Sequence, residues 1–181
     1  AGLLAGSLSM GAGEYVSVQA QVDLYSYEIQ KEKQQIQANP KKETEKLKSI
    51  YISKGLSEEL ATKTAQEIIN NPKAAIDTMA REELGLNPSD LGSPLKASII
   101  SISSFALGAI VPVIPFILSS GHAAIISSAI LSILSLMIIG GITAINTGVA
   151  FFKGAIRMLL FGGFAAVITY ISGTLIGMGL S

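Results

Sequence analysis

Residues 97 to 152 contain no Asp, Glu, Lys or Arg. A helix crosses a bilayer with about 20 predominantly apolar residues, so this stretch is long enough for two crossings joined by a tight turn. Ser119 to His122, SSGH, supplies the turn chemistry. A further apolar segment runs from about Ala155 to Leu180, with no charge after Arg157. The opening, residues 1–22, reads as another crossing. It starts without an initiator Met or a basic signal head, and the expectation is that it begins inside a helix whose preceding segment is missing.

The charges are segregated. Apart from Glu14, Lys96, Lys153 and Arg157, every acid and base lies between Asp23 and Asp90. With 49% hydrophobic and 14% charged residues in a chain of 181, and a mean hydropathy of +0.52, the composition is too apolar for an ordinary soluble domain. The fold class expected is an all-α membrane protein carrying a polar helical bundle. Its parts are a membrane helix over 1–22, a bundle over 23–92, and three membrane helices in 93–181, at about 95–118, 122–148 and 155–180. Lys96, Lys153 and Arg157 flank the apolar segments on the side of the polar segment, which makes residues 23–92 cytoplasmic.

Helix signals punctuate the polar segment. Asn39-Pro40 and Asn71-Pro72 pair an N-cap with a first-turn proline, and Gly55 followed by Ser57, Glu58 and Glu59 marks one helix ending and another starting. Three or four helices are expected, at roughly 23–38, 40–54, 57–70 and 72–84, in a small bundle standing on the membrane and continuous with the first span.

Met10 and Glu14 stand four apart and share a helix face, with Ser17 beside it. An ionisable group at membrane depth costs at least about 2.5 kcal/mol and faces a cavity, a partner or an ion. Glu14 is therefore a functional candidate, or an interfacial acid if it sits at the end of the span. A thioether with a carboxylate suits a borderline divalent ion such as Fe²⁺. In the bundle, Glu28 and Glu32 lie one turn apart, Met79 precedes Glu82 and Glu83 by one turn, and Glu43, Glu45 and Glu67 add carboxylates. Close like charges destabilise a helix unless a cation lies between them. The other reading is a solvated face, since this segment's twelve acids accompany ten bases.

SMGAGEYVSVQAQ, then NPKKE, IYISKGLSEELA, AREELGL, LGAIVPVIPF and GGFAAVITYISGTLIG, in that order, resemble the vacuolar iron transporter family. The resemblance implies a homodimeric, proton-coupled exporter of Fe²⁺ and related ions (Mn²⁺, Zn²⁺, Co²⁺ as substrates, with no permanent cofactor). It also implies five membrane helices per subunit, with the cytoplasmic bundle inserted between the second and third. On that resemblance the transport path falls on Met10 and Glu14, and the bundle's metal ligands on Glu32, Glu43, Met79 and Glu82, with Glu28 a neighbour. Lys46 stands where the family often repeats Glu, and Thr78 where it often has a second Met. The family's first helix, with its intramembrane Asp, has no counterpart in the sequence, so this fragment alone is not expected to complete a pore.

Pro112 and Pro115 are expected to break or bend the second visible span, because each removes a helical hydrogen bond. Gly162, Gly163, Gly173 and Gly177 read as close-packing positions. His122 reads as a solvated turn residue, and Tyr15, Tyr25 and Tyr27 as interfacial anchors. No nucleophile–base arrangement or phosphate loop supports an enzyme, and zero net charge without a basic patch gives no support for nucleic acid. A metal sensor or store without translocation is the alternative function, and an inert membrane scaffold a weaker one. The Ile-rich, Lys-containing style suits a prokaryotic cell membrane, with a vacuolar membrane the alternative.

Overall fold

The computed structural model describes residues 1–179, with side chains to residue 176, and every regular element among them is an α-helix. The chain forms α1 (Gly2–Ala38), α2 (Pro40–Ser53), α3 (Glu58–Ile69), α4 (Pro72–Glu82), α5 (Pro94–Leu118), α6 (Gly121–Asn146) and α7 (Phe151–Gly179). It divides into two compact units. One is Ala5–Ser103; the other is Ala1–Leu4 with the chain from Ser104 onward.

Local chemistry sets the starts of α2, α3 and α4. The Asn39 side chain accepts a hydrogen bond from the Lys42 amide at 3.1 Å, Ser57 from the Leu60 amide at 3.4 Å, and Asn71 from the Lys73 and Ala74 amides, both at 3.2 Å. Pro40 and Pro72 occupy first turns, where a missing N–H costs nothing. Gly55, at φ +98°, closes α2 in a conformation that side chains other than glycine rarely adopt. The core of this unit joins Ile36 of α1, Leu47 of α2, Ala65 and Ile69 of α3, and Ala75 and Met79 of α4. Such an apolar centre is what holds helices of 11 to 14 residues in water, where they are marginal alone.

The expected continuity of the bundle with the first span is seen in α1. The opening segment and the expected helix 23–38 are a single helix of 37 residues. Ser7 and Gly11 are buried on one side of it, and a Cβ at Gly11 would stand 2.3 Å from Ile102 Cγ1 of α5. Gly11 thus permits a close helix approach.

Among the described residues, three helices are long and apolar enough to cross a membrane: Pro94–Leu118, Gly121–Asn146 and Phe151–Ile176. Their outward surfaces are apolar, with Ile117, Leu118, Phe152 and Phe161 among the most exposed side chains. Apolar helices this exposed need lipid, and they make the chain an integral membrane protein. Residues 1–22 are not among the three. Glu14 and the frequent Gly and Ser residues dilute their hydropathy.

The last helix begins at Phe151, four residues ahead of the expected Ala155, while its expected end at Leu180 lies outside the described residues. Gly148, at φ +74°, ends α6, and the connection is complete by Ala150. Lys153 and Arg157 consequently sit in the first two turns of α7, where long stems let their charged heads reach the interface. His122 likewise lies in the first turn of α6, exposed, and not in the preceding turn. Helix α5 runs unbroken through Pro112 and Pro115, and the Ser128 hydroxyl donates to the Pro112 carbonyl at 2.8 Å.

Helices α6 and α7 pack along one another. Their closest approach pairs two glycines: a Cβ on Gly154 would lie 2.3 Å from the Gly140 carbonyl oxygen. Gly162 meets Leu136 in the same way, at 2.6 Å from its Cδ1, whereas Gly163 and Gly173 face open space. The surroundings of Gly177 lie outside the described residues.

Candidate metal centre

Three carboxylates converge where α1, α2 and the end of α4 meet. One oxygen each from Glu32, Glu43 and Glu83 lies within 4.8 Å of the other two. Divalent ions bind carboxylate oxygen at about 2.0–2.6 Å, so a small inward movement would place these oxygens around one ion. Glu32 is 4% exposed and Glu43 2%. Carboxylates are rarely buried this deeply unless paired or bound to metal.

The local sequence explains each position. Glu32 faces inward because it lies four residues before Ile36, which enters the bundle core. Glu43 is in the first turn of α2, where the N-terminal end of the helix favours negative charge, and four residues before Leu47 at the core centre. Glu83 is the C-cap of α4. Met79, one turn earlier, is fully buried in the core with Ile36 and Leu47.

Lys46 joins the three acids. Its Nζ stands 2.5 Å from Glu83 Oε2, 3.2 Å from Glu43 Oε2 and 3.9 Å from Glu32 Oε2. The second oxygen of Glu32, Oε1, is buried without a hydrogen-bond partner. Burial pushes the Glu32 carboxyl above its ordinary value; the charges of Glu83 and Glu43 add to this, and Lys46 opposes it. Burial also opposes the charge on Lys46, but its hydrogen bonds to Glu83 and Glu43 hold the ammonium's pKa above the usual lysine value.

A carboxyl whose folded pKa is raised contributes stability that is present below its ordinary value of 4.5 and is lost as pH rises through the folded value. The metal-free protein should therefore melt at a lower temperature near pH 7 than near pH 5. Glu32→Gln should flatten that difference and raise the neutral-pH midpoint by about 4 °C, the equivalent of about 1 kcal/mol. Calorimetry at the two pH values checks this, and a lower midpoint in the variant would refute it.

The sequence-derived residues divide among different surroundings. Glu32 and Glu43 are in the cluster, and Met79 is in the core of the same bundle. Glu82 turns instead to Lys54, with which it forms a short ion pair. Glu28 pairs with Lys31 at 3.4 Å along α1. Glu83, the third acid of the cluster, was legible only as the neighbour of Glu82 one turn after Met79. Met10 (49% exposed) and Glu14 lie on an open face of α1. They are nevertheless in line with the cluster: Glu14 and Glu32 are 18 residues apart, five full helical turns and about 27 Å along α1. A separate cavity of about 700 Å³ between α5, α6 and α7 is lined by Leu107, Val111, Leu136 and Ile139 with serine hydroxyls, and holds no carboxylate.

The model of the VIT family matches residues 1–174. A vacuolar iron transporter from Acanthamoeba castellanii is 32% identical over 174 residues, covering 93% of this chain and 64% of its own length. Vacuolar iron transporter 1 of Oryza sativa subsp. japonica is 28% identical over 167 residues, covering 92% of this chain and 66% of its own length. For vacuolar iron transporter 1 of Arabidopsis thaliana the figures are 27% identity over 168 residues, with 92% and 67% covered. The chain spans about two thirds of the length of the curated relatives it matches. With the family model matched from the first residue to residue 174, the chain belongs to the VIT family.

Proposed function

We propose that this chain belongs to a divalent-metal transporter that moves Fe²⁺, and by the same ligand chemistry Mn²⁺, out of the cytoplasm in exchange for protons. Capture takes place on the cytoplasmic bundle of α2–α4 with the end of α1, inserted between membrane helices. The ion then passes to the face of α1 carrying Met10 and Glu14 and leaves across the bilayer, in a homodimer that encloses the path. The observation that carries this reading is the triad Glu32, Glu43 and Glu83, two of them buried, with an unpartnered oxygen on Glu32. A bundle that only needed to fold would not be expected to bury two acids side by side with a third at their edge.

The relatives' names, vacuolar iron transporter, support the ion and the process. They favour a vacuolar membrane over the prokaryotic cell membrane that composition suits. Carboxylates that bind a cation when ionised and release it when protonated give a direct route to proton exchange. Helix α1 offers a physical connection, because Met10, Glu14, Glu28 and Glu32 recur on one stripe of a continuous helix. No catalytic step is part of this proposal.

The test is Fe²⁺ uptake into proteoliposomes holding the full-length parent protein under an imposed proton gradient. Uptake should follow the gradient and fall at least about tenfold in Met10→Ala and in Glu14→Ala, the loss expected when a cation at membrane depth is left without a ligand. Among the described residues, the acids gathered tightly enough to hold an ion lie in the bundle, which favours one second reading, a sensor or store. Metal binding with no uptake in the wild type would establish it in place of transport.

A further inference from the structure

A divalent ion entering the triad meets a cation already there. The Lys46 ammonium lies against Glu83 at 2.5 Å, Glu43 at 3.2 Å and Glu32 at 3.9 Å, the same three carboxylates that would face the ion. It sits on α2 one turn after Glu43, so its stem reaches back over the cluster along the helix surface. Its side chain is one-third exposed, which leaves the head a short path to solvent.

We infer that Lys46 is a tethered competitor of the metal: it fills the acid triad in the empty protein and swings out when a divalent cation arrives. The inference rests on reading the triad as a metal site. Three observations carry it. Three clustered carboxylates, two of them buried, need a positive charge beside them, and Lys46 is the cation within reach of all three. The ammonium satisfies them incompletely, since Glu32 Oε1 remains buried without a partner. A divalent ion with several coordination positions could occupy such an oxygen, whereas the ammonium has only three protons to donate. Lysine also suits exchange, being a compact charge on a flexible four-carbon stem, where arginine would lock into a planar fork.

The consequence is a site of tempered affinity. Each binding event has to break the ammonium's ion pairs, and each release is assisted by the ammonium's return. A protein that hands its ion onward needs a site that lets go, and an internal cation supplies this without removing a ligand. The competitor acts on cations as a class, so it lowers affinity for Mn²⁺ and Fe²⁺ alike.

The experiment titrates Mn²⁺ into the full chain in detergent, by calorimetry, for the wild type, Lys46→Gln, Lys46→Arg, Lys41→Gln and Glu43→Gln. Lys46→Gln should bind about tenfold more tightly than the wild type, the size expected when a partly buried ion pair no longer has to be broken. Lys46→Arg should bind no more tightly than the wild type, and Lys41→Gln, which removes a charge from the same helix outside the triad, should change little. Unchanged or weaker binding in Lys46→Gln, with binding still lost in Glu43→Gln, overturns the inference and leaves the metal site standing. Binding that survives Glu43→Gln instead refutes the site itself. A second readout covers the case in which Lys46→Gln does not fold. In the wild type, the ¹⁵N signal of the Lys46 ammonium should move to its solvent position as diamagnetic Zn²⁺ saturates the protein, and a signal that stays in place at saturation overturns the inference.

Discussion

Leu47→Ala should open the small helical bundle and remove the metal centre with it. Leu47 is fully buried at the middle of a core shared by Ile36, Ala65, Ile69, Ala75 and Met79. Truncating a buried leucine costs about 2–5 kcal/mol, through lost transfer energy and the cavity left behind. Two of the neighbours, Ala65 and Ala75, have no side-chain freedom with which to fill the space, so little of the cavity is expected to close. Helices α2, α3 and α4 have 14, 12 and 11 residues and depend on this contact, so a loss of that size is a large share of a typical domain's stability. Glu43 lies one turn before Leu47 on the same face of α2, which couples the core to the acid triad. Hydrogen exchange across residues 43–53 and 72–82 in the full chain should quicken by about 30-fold or more, the counterpart of about 2 kcal/mol. Exchange within threefold of the wild type would show that Leu47 does not hold the bundle.

What could be read from the sequence and what could not divide along a physical line. The starts of α2, α3 and α4 were legible because capping is local: Asn39, Ser57 and Asn71 each bond to amides two or three residues on. The apolar helices α5, α6 and α7 were legible because composition alone satisfies the length a bilayer demands. The continuity of the first span with the bundle was legible as well, since no Pro or Gly marks a boundary near Asp23. The start of α7 was not, because Lys153 and Arg157 resembled a connection although the turn had already ended at Ala150. In the acid cluster, Glu32 was marked by its spacing and, with Glu43, by the family motif. The choice between Glu82 and Glu83 could not be read in this way, because adjacent residues point in different directions and the outcome depends on distant lysines. Lys54 at the end of α2 holds Glu82, and Lys46 holds Glu83. Glu28 is likewise turned aside by Lys31.

Metal should tie the bundle together, and Glu43→Gln should abolish that effect. An ion held by Glu32, Glu43 and Glu83 would join α1, α2 and the C-cap of α4, elements that otherwise meet through the apolar core and the ion pairs of Lys46 and Lys54. A ligand that binds only the folded state adds RT ln(1 + [L]/Kd), about 4.1 kcal/mol when its free concentration is 1,000 times Kd. Opening of α2 and α4 in the full chain, followed by hydrogen exchange, should therefore slow by about 1,000-fold on saturation with Mn²⁺. Glu43 is the residue to remove because it is the most buried of the three acids and is placed by a helix start that does not depend on metal. Replacing its carboxylate by an amide keeps the shape, removes the charge and leaves the Asn39 cap intact. Slowing by Mn²⁺ should then fall to within a few-fold of the metal-free rate. Glu28→Gln, a carboxylate of the same helix as Glu32 but paired with Lys31, should retain nearly the full effect. Equal slowing in Glu43→Gln and the wild type would place the ion elsewhere. Loss in Glu43→Gln alone, with Glu28→Gln unaffected, would mean that metal capture and bundle stability share the same three oxygens.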